Sequence, residues 1–288
     1  MRIILITAFT LIASGILLLT ARIWGLSQPH PIYNHPFLSD TKPLIILKVG
    51  DLVSAEDAVK IHPSLVLWLD VRFSKDKIPF VLPPLKDVEF LNSKRKDQEQ
   101  NPSVPIMTGG KISEYDFEKI KSFFPQISKL EDFYSKFPTG KFILNIVDNV
   151  ADAHLVLTES LKGHKPNERT LVQSDTLILM TSVKELKPEW IFGTSIPDLV
   201  RFLTFDSMWI LPTTQFKGDV FIAPFKIGKR AAYNDNVIAE MRRRNKKVIL
   251  GPIENQNELN EALRLQADGY VTTNLTDLLS RLNLGPAQ

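Results

Sequence analysis

The residues of this chain that could do chemistry are polar groups set at the ends of apolar runs. LIILKVG (Leu44–Gly50) carries Lys48, and LVLWLDVRF (Leu65–Phe73) carries Asp70 and Arg72. Asp51, Asn145, Asn149, Ser174, Glu254 and Asn274 occupy comparable places further on. Lys48, Asp70, Arg72 and Glu254 are the binding candidates: carboxylates suit a hard cation or a proton, and cationic side chains suit an anion. The alternative is that polar groups at loop ends are simply solvated or paired. The five histidines add little. His30 and His35 lie in a Pro-containing segment, His62 precedes Pro63, and His154 and His164 flank one helical stretch, all places for surface or packing histidines. There is no HExxH or GxSxG pattern. The absence of cysteine excludes disulfides, thiolate metal sites and a cysteine nucleophile.

The elements that must position these groups alternate. Short apolar runs of strand length recur at Leu44–Val49, Leu65–Val71, Phe142–Val147, Thr170–Ser174, Trp190–Ser195, Val220–Phe225, Lys247–Ile253 and Gly269–Asn274. Near-continuous apolarity is what a parallel strand buried on both faces requires. Amphipathic stretches such as Asn236–Asn245 and Asn257–Gln266 lie between them. Eight such units in about 245 residues predict an α/β (β/α)8 TIM barrel over residues 43–288, with polar strand ends lining its active face. An open doubly wound sheet is the alternative, but no glycine-rich phosphate loop follows the first strand. The polar run NSKRKDQEQNP reads as an exposed loop, and Ser113 as the N-cap of a helix that follows it.

The N-terminus is different in kind. Ile3–Ala21 is an unbroken uncharged apolar run between Arg2 and Arg22. As a helix it spans roughly 28 Å, close to a bilayer core. Residues 1–24 therefore read as an uncleaved transmembrane signal anchor; a cleaved signal and a buried helix are the other readings. Position −3 to Ala21 is Leu19, which is not small as a cleavage site prefers. The expected placement is single-pass, with the barrel extracytoplasmic. Residues 25–42, with prolines at 29, 31 and 36, read as a tether of coil or polyproline character. The net charge of +3 is too mild to argue for nucleic acid. The basic run Arg242–Lys247 closes a helix, where cations are favourable; contact with anionic lipid is the other reading.

In order and spacing, LIILKVG, LVLWLDVRF and the following SKDKIPFVLPP resemble the opening of the glycerophosphodiester phosphodiesterase family. That family begins with a strand ending His-Arg-Gly, then Glu-x-Asp-Val, a Thr-Lys-Asp-Gly turn and a short strand ending His-Asp. Lys48-Val49-Gly50 stands at the first motif, Trp68-Leu69-Asp70 at the second, and Pro83-Pro84 at the last. Lys247-Val248 and Asp268-Gly269 match near the C-terminus, whereas Gly251-Pro252-Ile253-Glu254 and Thr272-Thr273 depart from the family pattern.

The resemblance implies a barrel whose catalytic histidines and most metal carboxylates are missing. The family would use Ca²⁺ or Mg²⁺ held by carboxylates, with two histidines moving protons. Here Lys48 and Pro83 occupy the histidine positions, Trp68 and Val147 replace acids, and only Asp70 is retained by motif. Asp148 is one residue off register, so in a regular strand it faces the other way. No cofactor is therefore expected. The function expected is a membrane-anchored, phosphodiesterase-like pseudoenzyme that binds a phosphorylated lipid headgroup or a partner protein. The alternative is an active phosphoric diester hydrolase rebuilt around Asp70, Lys48 and Glu254. Without a cation Asp70 would be a buried carboxylate lacking a partner, so the Lys48 ammonium is expected within about 4 Å of it, with Trp68 beside them. Otherwise Lys48 would reach solvent and Asp70 would cap backbone amides.

Overall fold

In the computed structural model, which describes residues 2–32, 34–39, 43–82 and 111–282, all eight apolar runs are strands. They are β1 Leu44–Val49, β2 Val66–Phe73, β3 Lys141–Ile146, β4 Thr170–Gln173, β5 Ile191–Phe192, β6 Val220–Ala223, β7 Lys247–Leu250 and β8 Gly269–Thr272. They pair in parallel in the order β5-β4-β3-β2-β1-β8-β7-β6. The chain order runs round a ring, so the open doubly wound sheet is excluded. The gap between β5 and β6 is bridged by the Asp219 N–H donating to Phe192 O at 2.7 Å. The result is a nearly closed eight-stranded parallel barrel with helices between the strands.

Alternation along each strand sends one set of side chains inward. Leu44, Ile46, Val66, Trp68, Ile143, Leu171, Ile191, Val220, Ile222, Ile249 and Val271 fill the barrel. The intervening residues, such as Ile45, Leu47, Leu67, Leu69 and Leu144, pack outward against the helices. Every residue of β2 is buried, as a strand covered on both faces must be.

Beyond β2 the chain turns back. Pro79–Val81 pairs antiparallel with the end of β2 and with Ser128–Lys129. A separate small core forms under it from Phe80, Leu82, Ile112, Phe117, Ile120 and Phe123 among others. Ser113 is not an N-cap: it lies inside a 3-10 turn, and the helix Phe117–Phe123 starts after Asp116. The Phe117 N–H is satisfied instead by Asp76 Oδ1 at 2.9 Å. The polar run of residues 92–102 and Pro83 lie outside the described residues.

The N-terminal run is a helix, α1 Arg2–Ser27, longer than the apolar stretch alone. It is long and apolar enough to cross a membrane, and none of its most apolar window is buried. The segment after it is not the free tether its prolines suggest. Among its described residues it makes one 3-10 turn, Pro36–Leu38, which fits the prolines, but it is pinned at His30, His35 and Phe37. Asn245 Nδ2 donates to His30 O at 2.8 Å, and His35 Nε2 lies 3.1 Å from Asn167 O. Phe37 is fully buried and enters the barrel from below, closing it against Leu44, Ile46 and Val66. The Lys141 ammonium holds the Phe37 carbonyl at 3.0 Å. A buried phenylalanine in a polar, proline-containing stretch carries no periodic signal, which is why the sequence reads as coil there.

Candidate functional site at the barrel mouth

The strand ends Lys48, Asp70, Asn145 and Gln173 converge because β1, β2, β3 and β4 are neighbours. Asp70 is level with Asn145, and Asn145 with Gln173, across the sheet. Asp70 is 2% exposed and sits inside a closed set of donors. Trp68 Nε1 donates to Asp70 Oδ1 at 2.9 Å, and Asn145 Nδ2 donates to the same oxygen at 2.6 Å. The Lys48 ammonium lies 3.5 Å from Asp70 Oδ2 and 5.4 Å from the centre of the Trp68 ring. The ion pair expected from the sequence is therefore formed, with Trp68 beside it.

The other candidates do not join this cluster. Arg72 follows Asp70 on the same face of β2, yet its Nη1 is held by Asp148 Oδ1 at 3.1 Å and the group is buried. Asp148 Oδ2 also accepts the Phe73 N–H at 3.2 Å. Because β3 stops at Ile146, the strand alternation no longer governs Asp148, and its carboxylate swings to the end of β2. Glu254 is exposed, its own N–H donates to Glu258 Oε2, and it is not among the residues lining the mouth. The partnership of Glu254 with Lys48 and Asp70 is thus a correction: the turn after β7 carries Gly251 and Pro252 to the mouth, not the acid.

Three residues missed in the sequence complete the site. Asp175 stands just past β4 at a cavity of about 360 Å³ also lined by Lys48, Trp68, Asn145 and Lys226. Burial pushes its carboxyl above the ordinary value, the Asp70 charge pushes it further, and Lys48 pulls it partly back. Gln173 and Thr194 hold the barrel shut beside it. Gln173 Nε2 donates to Thr194 O at 2.7 Å, and the Thr194 N–H donates to Gln173 Oε1 at 3.0 Å. Thr194 Oγ1 donates to Val220 O and accepts the Ile222 N–H, stitching β5 to β6. Gly193 makes room for this: a Cβ there would lie 1.9 Å from Gln173 Oε1.

No family model matches the sequence. No curated protein matches it either. Solved structures do match. A phosphodiesterase from Oleispira antarctica, solved with the product sn-glycerol-3-phosphate, has a TM-score of 0.59 and 16% identity over 84% of this chain and 97% of that one. The glycerophosphoryl diester phosphodiesterase domain of a Mycobacterium tuberculosis protein gives 0.58 and 14%, over 84% and 98%. A glycerophosphodiester phosphodiesterase from Thermotoga maritima gives 0.55 and 14%, over 84% and 99%. The chain has the glycerophosphodiester phosphodiesterase fold. At these identities the fold is shared while the site must be judged on its own residues.

Among the described residues, the mouth of this phosphodiesterase-type barrel offers no ligand set that fits a divalent cation. Ca²⁺ takes six to eight oxygen ligands and Mg²⁺ an octahedron of them. Among the described residues no group of three or more His, Cys, Asp or Glu side chains is placed to hold a metal. Asp70 is already occupied by two hydrogen-bond donors and an ammonium, and that ammonium would repel a second cation at the same oxygen. Asp175 stands across the cavity, and among the described residues no third carboxylate lines it.

Asp175 provides a test of this electrostatic layout. A carboxyl raised on folding binds more protons in the folded state, so it lowers stability as pH rises from its ordinary 3.8 through the folded value. Asp175→Asn should remove that slope and leave the fold as stable as wild type or slightly more so at neutral pH. Urea unfolding of both proteins across the acid range checks it; a variant that keeps the wild-type slope would show that Asp175 is not so placed.

Proposed function

We propose that the chain is a membrane-anchored protein of glycerophosphodiester phosphodiesterase type that binds at its mouth without metal-dependent hydrolysis. The observation that carries the reading is the Lys48–Asp70 pair, closed by Trp68 and Asn145 where the resemblance would put a histidine and metal carboxylates. Lysine can neither take up a proton at neutral pH as imidazole does nor share Asp70 with a cation. The ligand class we assign is a phosphorylated headgroup. Lys48 and Lys226 line the cavity, and Lys229 and Arg230 are exposed on the hairpin that continues from it. The solved neighbour holding sn-glycerol-3-phosphate supports a small phosphorylated ligand on this fold.

Anchoring is supported by α1, whose apolar length fits a bilayer. The helix runs without interruption past Ala21 to Ser27 and packs there on the barrel. The competing reading, an active hydrolase rebuilt around Lys48, Asp70 and Glu254, is disfavoured by the exposed position of Glu254. The test is turnover of a glycerophosphodiester by the full chain with Ca²⁺ or Mg²⁺. We expect none above the buffer rate. Metal-dependent turnover abolished by Asp70→Asn would overturn the proposal.

A further inference from the structure

We propose that the barrel mouth is held facing away from the bilayer that anchors the chain, so that its ligand arrives from the aqueous phase and not from the surrounding lipid. This rests on the membrane-anchor reading of α1 given above.

The contacts that seat α1 and its connector fall at the end of the barrel where the strands begin. Arg22 Nη1 donates to Trp209 O at 2.8 Å, and the Arg22 guanidinium lies 4.4 Å from the centre of the Trp209 ring. Gly25 is buried so closely on the turn Leu211–Thr213 that a Cβ would lie 2.6 Å from the Pro212 carbonyl carbon. Arg243 donates to Gly25 O and Leu26 O, each at 3.3 Å, which places a cation on the carbonyl end of α1. His35 reaches Asn167 and Glu189, and Phe37 plugs the barrel floor. In sequence these partners precede β4, β5, β6 and β7. The cavity residues Lys48, Asn145, Asp175 and Lys226 instead lie at or beyond the strand ends. Parallel strands begin at one end of a barrel and finish at the other, so the anchor and the mouth are at opposite ends.

The length of α1 places the bilayer against that floor. Ile3–Ala21 covers roughly 28 Å, so the hydrocarbon ends at Arg22. Within the run, Ile3, Leu11 and Leu17 are at least two-thirds exposed, which is a surface without protein to cover it. Trp24 and Trp209, both more than half exposed, then lie at headgroup level, where indoles are favoured. Five residue steps of a tilted strand set the mouth roughly 13 Å from that floor along the barrel axis. A flexible connector would let the barrel tip over; here the docked end of α1 and the buried Phe37 fix the barrel floor to the anchor.

The chain has no cysteine, so a single introduced one gives a unique label. Ile32→Cys on the connector and Lys229→Cys beside the mouth are both at exposed positions. Each labelled full-length chain is reconstituted into phosphatidylcholine vesicles doped with a headgroup-nitroxide lipid, and the vesicles are washed with alkaline carbonate. We expect the chain to stay in the pellet and the label at residue 32 to be quenched several-fold more than that at 229. Release by carbonate would overturn the anchor reading and the orientation with it. Retention with equal or stronger quenching at 229 would overturn the orientation alone. In a Gly25→Leu background, where the added side chain undocks α1, the difference should shrink while the chain stays in the pellet. An undiminished difference would show that docking does not hold the barrel upright.

Discussion

Asp70→Ala is expected to lower the unfolding free energy by about 3 kcal/mol, because it strands a partly buried ammonium, an indole N–H and an amide around one missing carboxylate. The Lys48 side chain is 19% exposed and Asp70 3%, so the lysine can relax part-way into the cavity while the other two donors cannot. That relaxation keeps the loss below the full cost of breaking an enclosed ion pair. Asp70→Asn keeps an acceptor oxygen for Trp68 and Asn145 and should lose less. Urea unfolding of the detergent-solubilised chain, followed by tryptophan fluorescence, measures both. A loss under about 0.5 kcal/mol for alanine, the range of an ordinary surface substitution, would mean that the cluster does not form in solution.

Arg244→Ala should be at least as damaging, at about 4 kcal/mol, because one buried fork satisfies five acceptors. Arg244 donates to Glu240 Oε1, to the carbonyls of Leu211, Pro212 and Thr214, and to Thr214 Oγ1. Those carbonyls form the turn on which Gly25 rests, so the same variant should loosen the seat of α1. Arg244→Lys should recover only part of the loss, since an ammonium cannot span the planar fork. Burial pushes the Glu240 carboxyl up, and hydrogen bonds from Arg243 and Arg244 with their charges outweigh it, holding it below the ordinary range. A carboxyl depressed on folding adds stability above its unfolded value and loses it as pH falls through the folded value. The gap between wild type and Arg244→Ala should therefore narrow below about pH 4.5, the ordinary glutamate value. A gap independent of pH would show that the arginine acts by packing alone.

The barrel was legible because a parallel strand buried on both faces leaves a run such as FILNI or KVIL that few other elements produce. The Lys48–Asp70 pair was legible because two adjacent strands with family spacing bring their ends together whatever the residue types. What escaped was non-local. Asp175 follows TLVQS as an ordinary loop acid, and only the ring order of strands brings it to the same cavity as Lys48. Asp148 was read by strand parity, which fails once the strand has ended. The basic run Arg242–Lys247 was read as cations favoured at a helix C-terminus or as a lipid contact, and it does close the helix Asp235–Arg243. What the sequence hid is that Arg243 also holds the end of α1, and that Arg244 is buried because the turn carbonyls of Leu211, Pro212 and Thr214 converge on it.

We propose that an ion pair stands at this mouth where the family resemblance implies a metal. Calorimetric titration of the full-length chain with Ca²⁺ tests it most directly. The closed Lys48–Asp70–Trp68–Asn145 cluster predicts no saturable heat, for the wild type and for Asp70→Asn alike. A one-site isotherm in the wild type that disappears in Asp70→Asn would contradict it.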